Sequence, residues 1–243
     1  MSMDNIYISG TGLWIPPHGI TNDELMASYN AYVEKFNTEN AKEIAAGSIE
    51  ELSPSSSEFV EKASGIKHRY VIEKDHALDP NFMKPLIPAR DIDELSILAE
   101  IGVMAGKDAM ENAGVTPDDI DAVIVSTANL QRAYPAIAIE IQNELGINGY
   151  GYDMMVACSS TTFGISNAMA DIAAGKAETI LVINPEITTA HNNMKSRESH
   201  FIFGDVCTAS VVQKNSLSNN KFKIIDTKLK TVFSNNILSL IHI

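Results

Sequence analysis

From residue 122 to residue 184 the chain repeats one pattern: a short apolar run, then an amphipathic stretch. Ala122–Thr127 (A-V-I-V-S-T) reads as a strand and Ala136–Leu145 as a helix closed by Gly146. Tyr152–Ala157 reads as the next strand, Ile165–Ala174 as a helix closed by Gly175, and Thr179–Asn184 (T-I-L-V-I-N) as a third strand. Strands this continuously apolar are covered on both faces, so the pattern predicts a layered α/β fold. Asn5–Ile15, His68–Ile72, Thr208–Gln213 and Phe222–Leu229 read as further strands. Thr21 caps a helix running to about Phe36. Glu58–Ala63 is a short helix closed at Gly65, and Asp91–Asn112 a long one ended by Gly114. Asn37–Ser57 is polar and ends in a Ser-Pro-Ser-Ser-Ser loop. Asp75–Pro88 carries Pro80, Pro85 and Pro88 and is expected to be a long surface loop.

The chemistry concentrates at Tyr152–Gly164, Y-D-M-M-V-A-C-S-S-T-T-F-G. Here an apolar run stops at Cys158, small hydroxyl residues follow, and a helix begins. The pattern is strand, sharp turn, helix, with a thiol at the turn. The N-terminal end of a helix carries partial positive charge, which favours a thiolate, and the thiolate is the nucleophilic form. Read locally, the alternative is a small buried hydrophobe. Cys207, in a small-residue strand, takes that second reading. Asp205, beside Gly204, reads as a turn former, not an acid or base.

Composition narrows the function classes. The 243 residues carry a formal net charge of -13, which argues against nucleic acid as a partner. Two distant cysteines make no disulfide framework and point to a reducing cytoplasm. No apolar run reaches membrane-spanning length, and the first residues lack the charged and apolar regions of a signal peptide. His68, His191 and His200 have no partners at metal-ligand spacing, so no metal site is assigned.

The nucleophile segment resembles that of the β-ketoacyl-acyl-carrier-protein synthase III family, in the thiolase superfamily. Three other segments agree in the same order. Ser64–Arg69 (S-G-I-K-H-R) resembles the family's Thr-Gly-Ile-Arg-x-Arg. Gln131–Ile147 resembles the segment before its nucleophile strand. Phe203-Gly204-Asp205, with the A-S-V-V that follows, resembles its Phe-Gly-Asp and small-residue strand. The resemblance covers nearly all of residues 1–235. It implies a thiolase-like layered α/β fold, with residues 1–215 forming the N-terminal half and 216–237 the start of the second. It implies Cys158 as catalytic nucleophile. Tyr134 falls where the family places an aromatic that crosses the dimer interface into the partner's acyl pocket. Phe59 and Arg197 fall at nucleotide-side positions, and Phe203 at the substrate-binding motif.

The departures are equally specific. The family's Cys-His-Asn triad takes His and Asn from the second half, and none of the six histidines here matches. A family Arg on the nucleotide side is replaced by Ala63, which weakens the expectation of coenzyme A as donor. Asn37–Ser57 and Asp75–Pro88 read as insertions. Leu238–Ile243 (L-S-L-I-H-I) is what the transposase-end adapter CTG TCT CTT ATA CAC ATC encodes. The expectation is a non-native tail on a truncated chain, inactive and poorly stable as written.

The implied activity is initiating 3-oxoacyl-acyl-carrier-protein synthesis in fatty-acid synthesis. An acyl thioester, from coenzyme A or acyl-carrier protein, acylates Cys158, and malonyl-acyl-carrier protein condenses with loss of carbon dioxide. This chemistry requires no organic cofactor and no metal. The resemblance further implies a cytoplasmic homodimer with no membrane partner. Other readings are a hydroxymethylglutaryl-coenzyme A synthase, a thiolase-type acyltransferase, or a non-catalytic partner subunit.

Overall fold

The computed structural model describes residues 5–233 except Asn220; the tail 238–243 lies outside the described residues. The chain divides into two compact units.

The first unit holds residues 5–15, 89–186 and 206–233 among those described. Its six-stranded sheet runs β5-β4-β6-β7-β1-β8, where β1 is Ile6–Trp14, β4 Ala122–Thr127, β5 Tyr150–Met155, β6 Thr179–Ile187, β7 Asp205–Lys214 and β8 Phe222–Lys223. β4 is parallel to both β5 and β6, while β1 is antiparallel to β7 and β8. Every residue of β4 is buried, as expected of a central strand covered on both faces. Helices α5 (Ile97–Ala113), α6 (Ile137–Leu145) and α7 (Ser160–Ala173) belong to this unit. α5 lies so close on β1 that a Cβ at Gly12 would stand 2.0 Å from the Ala105 carbonyl oxygen, so only glycine fits. On one face of the sheet Ile6, Ile124, Ile180 and Val182 pack with Ala168, Met169 and Ile172 of α7.

The second unit holds residues 16–88 and 187–205 among those described. It contains an antiparallel pair of strands, β2 (His18–Thr21) and β3 (His68–Val71), and helices α1 (Asn22–Glu39), α2 (Ala41–Ala45), α3 (Ser57–Ser64) and α4 (Asp75–Leu78). Its core gathers Leu25, Met26, Tyr29 and Val33 of α1 with Val60, Val71, Met83, Met194 and Phe201. Thr21 forms the predicted cap: its hydroxyl accepts from the Glu24 N–H, and the Glu24 carboxylate accepts from the Thr21 N–H. Buried Arg69 reinforces this helix start by donating to the Ile20 carbonyl and the Asn22 side chain.

Several expectations are corrected. The 75–88 segment is not a simple surface loop: it holds α4 and sends Ala77 and Met83 into the core. The 37–57 segment contains the end of α1 and all of α2. α5 begins at Ile97, not Asp91, because the Ser96 hydroxyl caps it by accepting from the Ala99 N–H. β2 was not anticipated; its four residues are too short to show periodicity. The strand expected at Phe222–Leu229 stops at Lys223, because only Tyr7 and Ile8 of β1 pair with it. Asp205 is not a turn former but the first residue of β7. It is buried and accepts from the Ile72 N–H (2.9 Å), the Thr189 N–H (2.9 Å) and the Thr189 hydroxyl (2.7 Å). Burial raises its pKa, and those same bonds oppose the rise. No helix among the described residues is long and apolar enough to cross a membrane.

Candidate active site

β5 ends at Met155, a 3-10 turn covers Ala157–Ser159, and α7 starts at Ser160. Ala157, immediately before the thiol, has φ 48°. For a residue with a side chain this left-handed conformation is strained, and such strain clusters at functional sites. It turns the chain sharply, and Cys158 stands exposed at the mouth of α7. The 3-10 turn is closed by its own backbone: the Ser159 N–H donates to the Val156 carbonyl (3.2 Å) and the Ser160 N–H to the Ala157 carbonyl.

Buried hydroxyls lock the turn. Ser160 Oγ accepts from the Val156 N–H (3.1 Å) and donates to the Thr127 carbonyl (2.9 Å), while Ser126 Oγ donates to the Ser160 carbonyl (2.6 Å). The turn is thereby fixed to the end of β4. The Asn184 amide donates to the Ser126 carbonyl (2.7 Å) and the Thr127 hydroxyl to the Pro185 carbonyl (2.7 Å), which adds β6. Gly164 lets α7 pack down, since a Cβ there would stand 2.9 Å from Val182 Cγ1.

Two carboxylates extend this frame. Asp153 of β5 accepts from the Ile137 and Ala138 N–H groups, both at 2.8 Å, capping α6. Glu186 of β6 accepts from the Ala128 N–H at 2.6 Å. Burial raises the pKa of each, and these backbone bonds oppose the rise. Neither residue was singled out from the sequence. Asp153 had a readable signal, being a charge within an otherwise apolar strand; Glu186 had none. Tyr134 lies between β4 and α6 and is 87% exposed.

Cys207 is fully buried in β7. Burial first, and the charge of Glu186 second, push its pKa far up, so it stays a thiol.

In the second unit, the Arg197 guanidinium lies 4.5 Å from the centre of the Phe59 ring, and its Nε donates to the Pro54 carbonyl (3.1 Å). The two residues that the resemblance places on the nucleotide side are thus brought together. Ala63, on the same helix as Phe59, is exposed. Phe203 is 37% exposed, just before Gly204. His200 is buried edge-on to Tyr29, with its pKa lowered to about 4 mainly by burial.

Comparison with known proteins agrees with this geometry. The sequence profile of 3-oxoacyl-[acyl-carrier-protein (ACP)] synthase III matches residues 152–232. The β-ketodecanoyl-[acyl-carrier-protein] synthase of Pseudomonas aeruginosa is 54% identical over 214 residues, covering 87% of this chain and 61% of that protein. The β-ketoacyl-[acyl-carrier-protein] synthase III of Agrobacterium fabrum is 31% identical, covering 68% of this chain and 45% of that protein. Among solved structures, 3-oxoacyl-[acyl-carrier-protein] synthase III from Aquifex aeolicus superposes with a TM-score of 0.65 at 23% identity, over 86% of this chain and 54% of that one. The priming β-ketosynthase of the R1128 polyketide pathway gives 0.65 at 25% identity, over 86% of this chain and 50% of that one. The fold is therefore the thiolase-like α/β fold of these enzymes. The chain belongs to the β-ketoacyl-acyl-carrier-protein synthase III family. It spans about half to three-fifths of the length of these two relatives.

Proposed function

We propose that the protein is a condensing acyltransferase of fatty-acid synthesis, of the 3-oxoacyl-acyl-carrier-protein synthase III type, with Cys158 as its nucleophile. The observation that carries this reading is the exposed thiol on a strained, hydroxyl-locked turn at the start of α7. The Cys158 thiolate attacks the carbonyl carbon of an acyl thioester, and the donor thiol leaves. Backbone N–H groups at the helix start stabilise the tetrahedral oxyanion. Malonyl-acyl-carrier protein then loses carbon dioxide. The resulting enolate carbon attacks the acyl-Cys158 carbonyl and expels the thiolate, releasing a 3-oxoacyl-acyl-carrier protein. The resemblance assigns enolate stabilisation to a His and an Asn of the family's second half, with residues 1–215 corresponding to its N-terminal half.

The name of the Pseudomonas relative, carried over, makes the product a β-ketodecanoyl thioester. Condensation adds two carbons, so the donor acyl group would have eight. Ala63 in place of the family Arg favours acyl-carrier protein over coenzyme A as its carrier. The Phe59–Arg197 stack and Phe203 are the donor-side contacts in this reading. Tyr134, nearly fully exposed, serves a second copy of the chain in a cytoplasmic homodimer.

The test is condensation by the full-length gene product. Octanoyl thioester and malonyl-acyl-carrier protein should yield carbon dioxide and the ten-carbon 3-oxoacyl product. Carbon dioxide release with no new carbon–carbon bond, or no reaction with any acyl length, would contradict the assignment.

A further inference from the structure

The segment 128–136 has no regular secondary structure, yet charged and polar side chains fix it along its length. At its start the Ala128 N–H is held by Glu186. In its middle the Gln131 side-chain oxygen accepts from the Leu98 N–H at 3.3 Å, and Arg132 forms an ion pair with Glu140 of α6. The Glu140 side chain is only 9% exposed. Its other oxygen accepts from the Ser96 hydroxyl (2.5 Å) and from the Ser96 N–H (3.3 Å), at the cap of α5. Beyond the segment, Asp153 holds the first N–H groups of α6. Arg132 is correspondingly confined, with its Nε buried and without a hydrogen-bond partner. Between these anchors Tyr134 projects into solvent.

A loop needs no such bracing merely to stay folded, since loops tolerate mobility and variation. Burying a carboxylate on a guanidinium and a hydroxyl at once is costly unless all partners stay in place, so the arrangement admits one loop conformation. Rigid support of an exposed aromatic is what a precise contact requires. We infer that Glu140 is a positioning residue: through Arg132 and Ser96 it sets where Tyr134 reaches, and so which acyl chains the site accepts. This rests on the proposed reading of Tyr134 as a residue that meets the acyl pocket of a second copy.

The experiment measures kcat and KM of the full-length protein for a series of acyl donors from two to twelve carbons. The variants are Glu140→Ala, Glu140→Gln, Arg132→Ala, Tyr134→Ala and the Glu140→Ala/Tyr134→Ala double variant. The expected result is a length-dependent shift in KM, flattening the preference among donors about tenfold in Glu140→Ala. Glu140→Gln keeps one acceptor oxygen, enough for Ser96 or Arg132 but not both, and should restore the preference only in part. Arg132→Ala, a more exposed site, should reproduce the shift even if Glu140→Ala folds poorly. In the Tyr134→Ala background Glu140→Ala should add nothing to the shift. A uniform fall in kcat across all donors in both Glu140→Ala and Arg132→Ala would overturn the inference. So would additive shifts in the double variant. An unchanged preference in an active Tyr134→Ala protein would overturn the role of Tyr134 and the inference with it. Condensation by Cys158, measured in the unmodified protein, stands or falls separately.

Discussion

Two cysteines in the same unit have opposite surroundings. Cys158 stands exposed at the mouth of α7, after a residue at φ 48°. Cys207 is sealed in β7, where burial and the charge of Glu186 hold its proton in place. The residue type is identical, so the difference comes from backbone and surroundings. A turn that leaves the sulfur exposed suits it to the proposed role of nucleophile; a strand among apolar neighbours makes a small core residue. The comparison also shows what the fold invests in. Around Cys158 the hydroxyls of Ser126, Thr127 and Ser160 hold three strand ends and one helix start together. Around Cys207 there is packing, with weak contacts from its sulfur to the Thr208 carbonyl at 3.8 Å and to the Asn184 backbone.

The sharpest way to break this contrast is substitution at each site. Cys158→Ala should abolish condensation altogether, whereas Cys207→Ala should retain turnover within a few-fold, both measured by product formation. Loss of activity in Cys207→Ala with Cys158→Ala still active would reverse the comparison. Next in size is Cys207→Ser. A hydroxyl is costlier to bury at that point than a thiol and should lower stability by about 1–3 kcal/mol in chemical denaturation. Cys158→Ser, being exposed, should change stability by less than about 0.5 kcal/mol.

The third effect depends on pH. The Cys207 pKa is raised in the folded state, so the native protein keeps a proton that the unfolded chain releases near about 8.5. The contribution of this thiol is therefore fully present below that pH and declines above it, by at most about 1.4 kcal/mol per pH unit. Subtracting the denaturation profile of Cys207→Ala from that of the unmodified protein should reveal this alkaline decline. A difference profile that stays flat up to pH 10.5 would contradict it. The smallest effect concerns the turn. Ala157→Gly should relieve the left-handed strain by about 1 kcal/mol, less the entropy glycine loses on folding. Its melting temperature should stay level or rise slightly, and a fall of several degrees would mean the turn is unstrained.

Much of this was legible in the chain. The strands at Ala122–Thr127 and Thr179–Asn184 announce themselves because burial on both faces demands unbroken apolar runs. The helix ends at Gly65, Gly114 and Gly146 are readable because left-handed caps favour one residue type. The strand-turn-helix setting of Cys158 follows from the same patterns; its exposure does not, since the local pattern equally fits a buried thiol. What stayed hidden depends on distant partners. Met83 sits in a proline-rich stretch that local composition marks as surface, yet it faces the core assembled by α1 and β3. Asp205 looks like a turn residue until Ile72 and Thr189, far off in sequence, supply its donors. Glu140 sits on α6 among apolar residues, and only the fold brings Ser96 and Arg132 to it.

The most direct test of the central claim is to locate the acyl group. The full-length protein is incubated with an octanoyl thioester without malonyl-acyl-carrier protein, digested, and the modified peptide identified by mass spectrometry. The account predicts one acyl adduct, on Cys158, with Cys207 unmodified until the protein is denatured. An adduct on Cys207 in the native protein, or condensation that proceeds with no acyl group ever found on Cys158, would contradict it.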